Sequence, residues 1–141
     1  MGRIMAIDYG RKRTGIAVTD ENRIIATGLD TVATKDIFDF LGKYLKQENV
    51  DVIVVGEPRQ MDNTQSESEQ FIQPFVKRLH KLFPDLRIER FDERFTSKMA
   101  FRTMIDAGIS RKARQDKATI DKISATILLQ SYMNSTQKPG Y

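Results

Sequence analysis

The sequence predicts an α/β domain in which a mixed sheet has helices on both faces. Residues 3–8 and 14–19 are short apolar segments separated by the polar, glycine-containing YGRKR, which is typical of a β-hairpin. The apolar segment DVIVVG, residues 51–56, follows an amphipathic segment, so we expect a strand that is reached through a helix and runs parallel to its neighbour. All three segments are apolar at odd and even positions alike, as in a sheet that is covered on both faces.

The remaining segments complete this order of elements. Residues 23–32 are predicted to form a strand that pairs back on the second one, and helical spacing of apolar residues begins at Thr34. After the polar loop 57–70 we predict, in order, an amphipathic helix to about residue 83, a strand over 86–92, a helix between Thr96 and Gly108, and a last helix over about 118–133. On the last helix, the residues expected to face inward are Ile120, Ile123, Ile127 and Leu128.

Length and composition are those of one globular domain without disulfides. The chain has 141 residues, 40% of them hydrophobic, and we predict a single domain over residues 1–134 with a flexible tail over 135–141. The net charge of +4 favours an anionic partner such as nucleic acid. The absence of cysteine excludes disulfides and thiolate metal sites, and no apolar run is long enough to span a bilayer. We therefore expect a cytoplasmic protein with no membrane partner.

Carboxylates follow three of the predicted strands. Asp8 ends the first strand, Glu57 ends DVIVVG, and Asp92 and Glu93 end the strand that begins at residue 86, while Asp121 lies at the edge of the apolar stripe of the last helix. Ligand sites of α/β sheets gather beyond the carboxyl ends of the strands. Carboxylates that meet there repel one another unless a hard cation such as Mg²⁺ or Mn²⁺ binds them, and such ions support phosphodiester cleavage.

Each acidic residue, taken alone, is also compatible with a structural role, and Asp92 and Glu93 before a helix are more typical of helix N-terminal electrostatics or solvated charge than of metal ligands. Asp8 could accept backbone hydrogen bonds in a turn, and Asp121 could oppose the dipole of its helix. The arginines of the first hairpin are open to either a structural or a phosphate-binding role. Only the joint placement of the carboxylates favours a metal site.

Five segments carry a resemblance that covers nearly the whole chain: IMAIDYGRKRTGIAV, VDVIVVGEPRQMDN, FDERFTS, AGISRKAR and IDKISATILLQSYM. Together they resemble the YqgF family, also called RuvX, whose members are described as Holliday junction resolvase-like proteins and as nucleases of precursor 16S rRNA. The resemblance implies an RNase H-like fold with a five-stranded sheet and a metal-dependent nuclease acting in 5′-end maturation of precursor 16S rRNA. The alternatives are a Holliday junction resolvase that acts on branched DNA and a non-catalytic factor that binds RNA or ribosomal particles.

The resemblance also implies the site residues. The aspartate of the family's first strand matches Asp8, the glutamate of its D-E-R triplet matches Glu93 and the aspartate of its last helix matches Asp121; these three are the expected catalytic residues and ligands of Mg²⁺ or Mn²⁺. Where members commonly read G-L-P, this chain has Glu57 in the middle position, and we hypothesise that Glu57 supplements or replaces Glu93 as a metal ligand. The expected nucleic-acid-binding residues are Arg11, Lys12, Arg13, Arg94, Arg111, Lys112, Arg114 and Lys117. A monomer and a homodimer are both compatible with the sequence.

Overall fold

The computed structural model describes residues 2–58, 67–92 and 116–136. Its strands are β1 (Arg3–Tyr9), β2 (Arg13–Thr19), β3 (Ala26–Ala33), β4 (Val50–Glu57) and β5 (Arg87–Asp92). Its helices are α1 (Ile37–Gln47), preceded by a 3₁₀ turn over Thr34–Asp36, α2 (Glu69–Leu82) and α3 (Lys117–Thr136).

The five strands form one mixed sheet in the order β3-β2-β1-β4-β5. The first three strands pair antiparallel in sequence, whereas β4 lies parallel to β1 and β5 lies parallel to β4. The predicted hairpin, the strand that pairs back on it and the parallel strand after the first helix are therefore confirmed.

Two apolar cores lie on opposite faces of the sheet. On one face, which we call the α1/α2 face, residues such as Ile7 and Val55 pack with the buried side chains of α1 and α2. On the other, the α3 face, Ala6 and Val54 pack with the buried side chains of α3. Successive side chains of a strand point to opposite faces, so these neighbours in sequence fix the face of every residue that follows them in β1 and β4.

The buried stripe of α3 differs from the predicted one. Among the four residues expected to face inward, Leu128 is buried, whereas Ile120, Ile123 and Ile127 are only partly buried. The buried residues of this helix are Ala125, Leu128, Leu129, Tyr132 and Met133. Apolar residues are spread around α3, so their spacing alone does not select a face, and the face that packs on the sheet is the one that carries Ala125.

The C-terminal end of α3 extends beyond the predicted helix. Ser135 and Thr136 belong to α3, where the Ser135 hydroxyl donates to the Tyr132 carbonyl at 2.7 Å, so the predicted tail cannot begin at residue 135. The predicted helix between Thr96 and Gly108 lies outside the described residues. Within the ranges that the structure describes, no helix is both long and apolar enough to cross a membrane.

Candidate active site

Asp8 and Asp121 meet on the α3 face at the carboxyl end of β1. Ala6 and Asp8 share this face by strand alternation, and Asp8 is the register partner of Gly15 in β2. A Cβ atom on Gly15 would lie 2.0 Å from the carbonyl oxygen of Asp121 and 3.3 Å from its Cβ. Since only a residue without a side chain allows this approach, Gly15 brings the first part of α3 onto the sheet directly beside Asp8.

The electrostatics of this pair favour a bound cation. Burial, and secondly the negative charge of Asp121, raise the pKa of Asp8 from its ordinary value of 3.8 to about 6. A carboxylate that is desolvated next to another carboxylate costs free energy until a positive charge compensates it. The two side chains therefore fit a divalent cation, which prefers such hard oxygen ligands.

Arg13 supplies one positive charge to this site. Its Nε donates to Asp121 Oδ2 at 2.7 Å, and the two side chains are 39% and 24% exposed. Arg13 was predicted from the sequence to bind nucleic acid; in the structure its partner is a carboxylate of the candidate site.

The loop between β1 and β2 is held by a hydroxyl network. The Thr34 hydroxyl donates to the Gly10 carbonyl at 2.6 Å and lies 2.8 Å from the buried Thr14 hydroxyl, while the Thr34 amide donates to the Lys12 carbonyl at 2.9 Å. A Cβ on Gly10 would lie 2.4 Å from the Arg13 carbonyl oxygen, so the turn requires glycine. Arg11 and Lys12 are exposed on this fixed loop, in a position suited to contact a phosphate backbone.

An aromatic cluster supports the same loop from the α1/α2 face. Tyr9 stacks on Phe75 with ring centroids 4.2 Å apart, and the Arg11 guanidinium lies 4.8 Å from the centroid of the Phe71 ring. In the sequence these rings are part of the apolar residues of the predicted amphipathic helix, with nothing that assigns them to the loop. The signal that marks them is the placement of aromatic residues at i and i+4 on α2, opposite the tyrosine that follows Asp8.

Glu57 is not brought together with Asp8 and Asp121. Val55 belongs to the α1/α2 core, so alternation directs Glu57 to that face, together with its register partner Asp92. Asp8 points to the opposite face. The alternation of side chains along β4 is the sequence feature from which this difference in face could have been predicted.

The end of β4 is anchored by a buried ion pair. Arg90 donates to both carboxylate oxygens of Glu69, at 2.7 and 2.8 Å, and also to the carbonyls of Val55 and Gly56. Glu69 is 1% exposed. This bidentate pair joins the start of α2 to β4 and β5. It could not be predicted from the sequence, because its two residues lie on separate elements.

Part of the predicted site lies outside the described residues. This applies to Glu93, Arg94, Arg111, Lys112 and Arg114, whereas Lys117 is the exposed first residue of α3. The described ranges hold no group of three or more carboxylate or histidine side chains able to bind a metal. They contain two of the three predicted catalytic residues, Asp8 and Asp121.

Comparisons with known proteins agree with this geometry. The RuvX family model, described as Holliday junction resolvase, matches residues 2–135. Relatives named "Putative pre-16S rRNA nuclease" are 56% identical in Flavobacterium johnsoniae, over 96% of this chain and 98% of the relative, and 51% identical in Porphyromonas gingivalis, over 98% of this chain and 100% of the relative. RuvC from T. thermophilus, solved in complex with Holliday junction substrate, superposes with a TM-score of 0.58 at 17% identity over 96% of both chains. This likeness confirms the RNase H-like fold.

Proposed function

Because the chain belongs to the RuvX family, we propose that it is a nuclease that hydrolyses phosphodiester bonds of precursor 16S rRNA during maturation of the 5′ end. The observation that carries this proposal is the meeting of Asp8 and Asp121 beside a fixed, cationic loop. The choice of precursor 16S rRNA as the substrate rests on the names of the relatives. Precursor ribosomal particles are the setting in which this substrate would be met.

The residues that would hold the metal are Asp8 and Asp121, with Glu93 as the third ligand. When bound, Mg²⁺ or Mn²⁺ would supply activation of water and neutralisation of the charge that develops on the phosphate oxygens. Asp8 is suited to this role because its desolvated carboxylate lies beside the negative charge of Asp121, and it must be deprotonated to bind a cation.

The chain's own cations would place the substrate. Arg11 and Lys12 lie on the loop that follows Asp8 and Tyr9, so a backbone phosphate bound by them would lie at the carboxyl end of β1. The Arg11 guanidinium is held against the Phe71 ring, which reduces the entropy lost when it binds an anion. Such contacts carry no base information, so RNA shape or the ribosomal particle would select the cleavage site.

Cleavage of a precursor 16S rRNA 5′-leader substrate tests the proposal. Wild type, Asp8→Asn and Asp121→Asn would be compared in titrations of Mg²⁺ and Mn²⁺, with Asp39→Asn, an exposed residue of α1, as the matched control. We expect metal-dependent cutting by wild type and Asp39→Asn and its loss in both site variants. Equal cutting by Asp8→Asn would remove Asp8 from the mechanism.

Cleavage of branched DNA is the second candidate, because the family model is described as Holliday junction resolvase. A resolvase must present two sites to one junction, so it would bind a four-way junction as a dimer. The same four proteins would be assayed on a four-way junction, with the hydrodynamic mass measured with and without the junction. Cutting of the junction in place of the leader RNA would favour this candidate, and metal-independent RNA binding without cutting of either substrate would indicate a binding factor.

A further inference from the structure

Arg13 pairs with Asp121, one of the two candidate metal ligands, and its side chain is partly exposed to solvent. Arg13, Gly15 and Ala17 share the α3 face of β2 by alternation, and this places the Arg13 side chain on the same side as Asp8. Its Nε lies 2.7 Å from Asp121 Oδ2. Both side chains remain partly exposed, so an ion and a phosphate group can reach them from solution.

A divalent cation at Asp8 and Asp121 would compete with this ion pair. The guanidinium bonds to Asp121 Oδ2, and a cation bound to the same carboxylate would share its negative charge with the guanidinium, so the two positive charges would repel each other. An Arg13 side chain released from Asp121 keeps five N–H donors arranged as a fork. The anion that matches this fork is a phosphodiester group, which the substrate delivers to the same edge of the sheet.

We propose that Arg13 is a positioning residue that balances the charge of Asp121 in the metal-free site and transfers to a substrate phosphate when a divalent cation binds. Arg13 thereby couples the two binding events: the cation frees the guanidinium for the nucleic acid, and the nucleic acid removes a competitor of the cation. Such coupling is reciprocal by thermodynamic necessity. The inference rests on the proposed function, because it takes Asp8 and Asp121 as metal ligands.

Binding of Mn²⁺ to the protein alone, followed by the electron paramagnetic resonance signal of free Mn²⁺, is the first test. Arg13→Gln should bind Mn²⁺ about fivefold more tightly than wild type, because the competing charge is gone. The matched control is Arg23→Gln, which removes a guanidinium whose Nη2 lies 2.8 Å from Asp51 Oδ2 at the opposite end of the sheet. This control should bind Mn²⁺ as wild type does.

Binding of the 5′-leader RNA, measured by fluorescence anisotropy in EDTA and in Ca²⁺, is the second test. Wild type should bind the RNA more tightly in Ca²⁺ than in EDTA. In Ca²⁺, Arg13→Gln should bind the RNA about tenfold more weakly than wild type does. The dependence of its RNA affinity on salt concentration should be smaller by the equivalent of about one phosphate contact. Arg13→Lys keeps the charge without the fork. Arg13→Lys should retain the Mn²⁺ affinity of wild type and lose part of the RNA affinity. If circular dichroism shows that Arg13→Gln does not fold, Arg13→Lys takes its place in the RNA-binding test.

The outcomes separate this inference from the proposed function. Unchanged or weaker Mn²⁺ binding by Arg13→Gln would overturn the inference and show that the ion pair serves only to orient Asp121. Mn²⁺ binding to Arg13→Lys that is as tight as expected for Arg13→Gln would overturn it as well, because the charge would then be irrelevant. If Asp8→Asn binds Mn²⁺ as tightly as wild type, the metal site itself is wrong and the proposed function fails with it.

Discussion

The contact between Gly15 and α3 predicts that Gly15→Ala separates Asp8 and Asp121, the two proposed catalytic aspartates. The added Cβ would lie 2.0 Å from the Asp121 carbonyl oxygen and 2.6 Å from its carbonyl carbon, whereas real Cβ atoms essentially never approach closer than 3.0 Å. Both neighbours are backbone atoms, so no side-chain rotation relieves the overlap. The first part of α3 must therefore move away from β2 by about 1 Å or more.

The size of the effect follows from this displacement. Overpacking of this kind costs about 1–3 kcal/mol of the free energy of unfolding. The backbone of Gly15 does not adopt the left-handed conformation that favours glycine, so alanine adds no backbone strain. A displacement of about 1 Å at a catalytic group lowers the rate by about 10²-fold, and we expect Mn²⁺ affinity to fall as well.

Urea unfolding and Mn²⁺ binding measure both consequences, with Gly42→Ala as the control. Gly42 lies within α1, and in the described part of the chain a Cβ there would meet no atom within 4 Å apart from the adjacent residues and the helix's own backbone. Alanine in this helix should raise the free energy of unfolding by about 0.5–1 kcal/mol, so the two glycine substitutions are expected to act in opposite directions. A Gly15→Ala protein that unfolds at the wild-type urea midpoint and binds Mn²⁺ equally well would refute the reasoning.

Three further predictions concern the remaining carboxylates. Arg90→Met removes the two guanidinium donors from the buried Glu69 carboxylate and should lower the free energy of unfolding by about 3–5 kcal/mol in urea titrations. Part of this loss should be recovered when Glu69→Gln is added, and a loss no larger than that of an exposed arginine would contradict the prediction. Burial and a like charge raise the pKa of Asp8 to about 6, so the native state binds the proton of Asp8 more tightly than the unfolded state does. In EDTA, the free energy of unfolding of the wild type, relative to that of Asp8→Asn, should therefore fall as the pH rises from about 4 to about 6. Parallel pH profiles of the two proteins would show that Asp8 is not desolvated. Glu57→Gln should leave Mn²⁺ affinity unchanged because its side chain lies on the face opposite Asp8, whereas Glu93→Gln should lose it; reduced affinity in Glu57→Gln would restore Glu57 as a ligand.

The order of elements could be predicted from the sequence because its signals are local. Apolar runs bounded by polar, glycine-containing turns indicated β1 and β2, and the amphipathic segment before β4 indicated a parallel connection. The position of Asp8 at the carboxyl end of β1 follows from the same runs. These features depend on residues a few positions apart, and tertiary packing did not override them.

The orientation of α3 required the tertiary structure. Its apolar residues surround the helix, so the buried stripe is selected by the surface on which the helix rests. That surface has glycines at Gly15 and Gly28, where added Cβ atoms would lie 2.0 Å from the Asp121 carbonyl oxygen and 2.7 Å from Lys122 Cγ. The positions of these two glycines in β2 and β3 allow Asp121 and Lys122 to pack directly against the sheet.

The sequence by itself determined which residue types were available for a metal site, and at which strand end Asp8 would stand. Only the tertiary structure decided their partners: Arg13 bonds to Asp121 across 108 positions of sequence, and strand parity turns Glu57 away from Asp8. The physical reason is that composition and periodicity are local properties, whereas the contact between two charged groups depends on which faces of distant elements pack together.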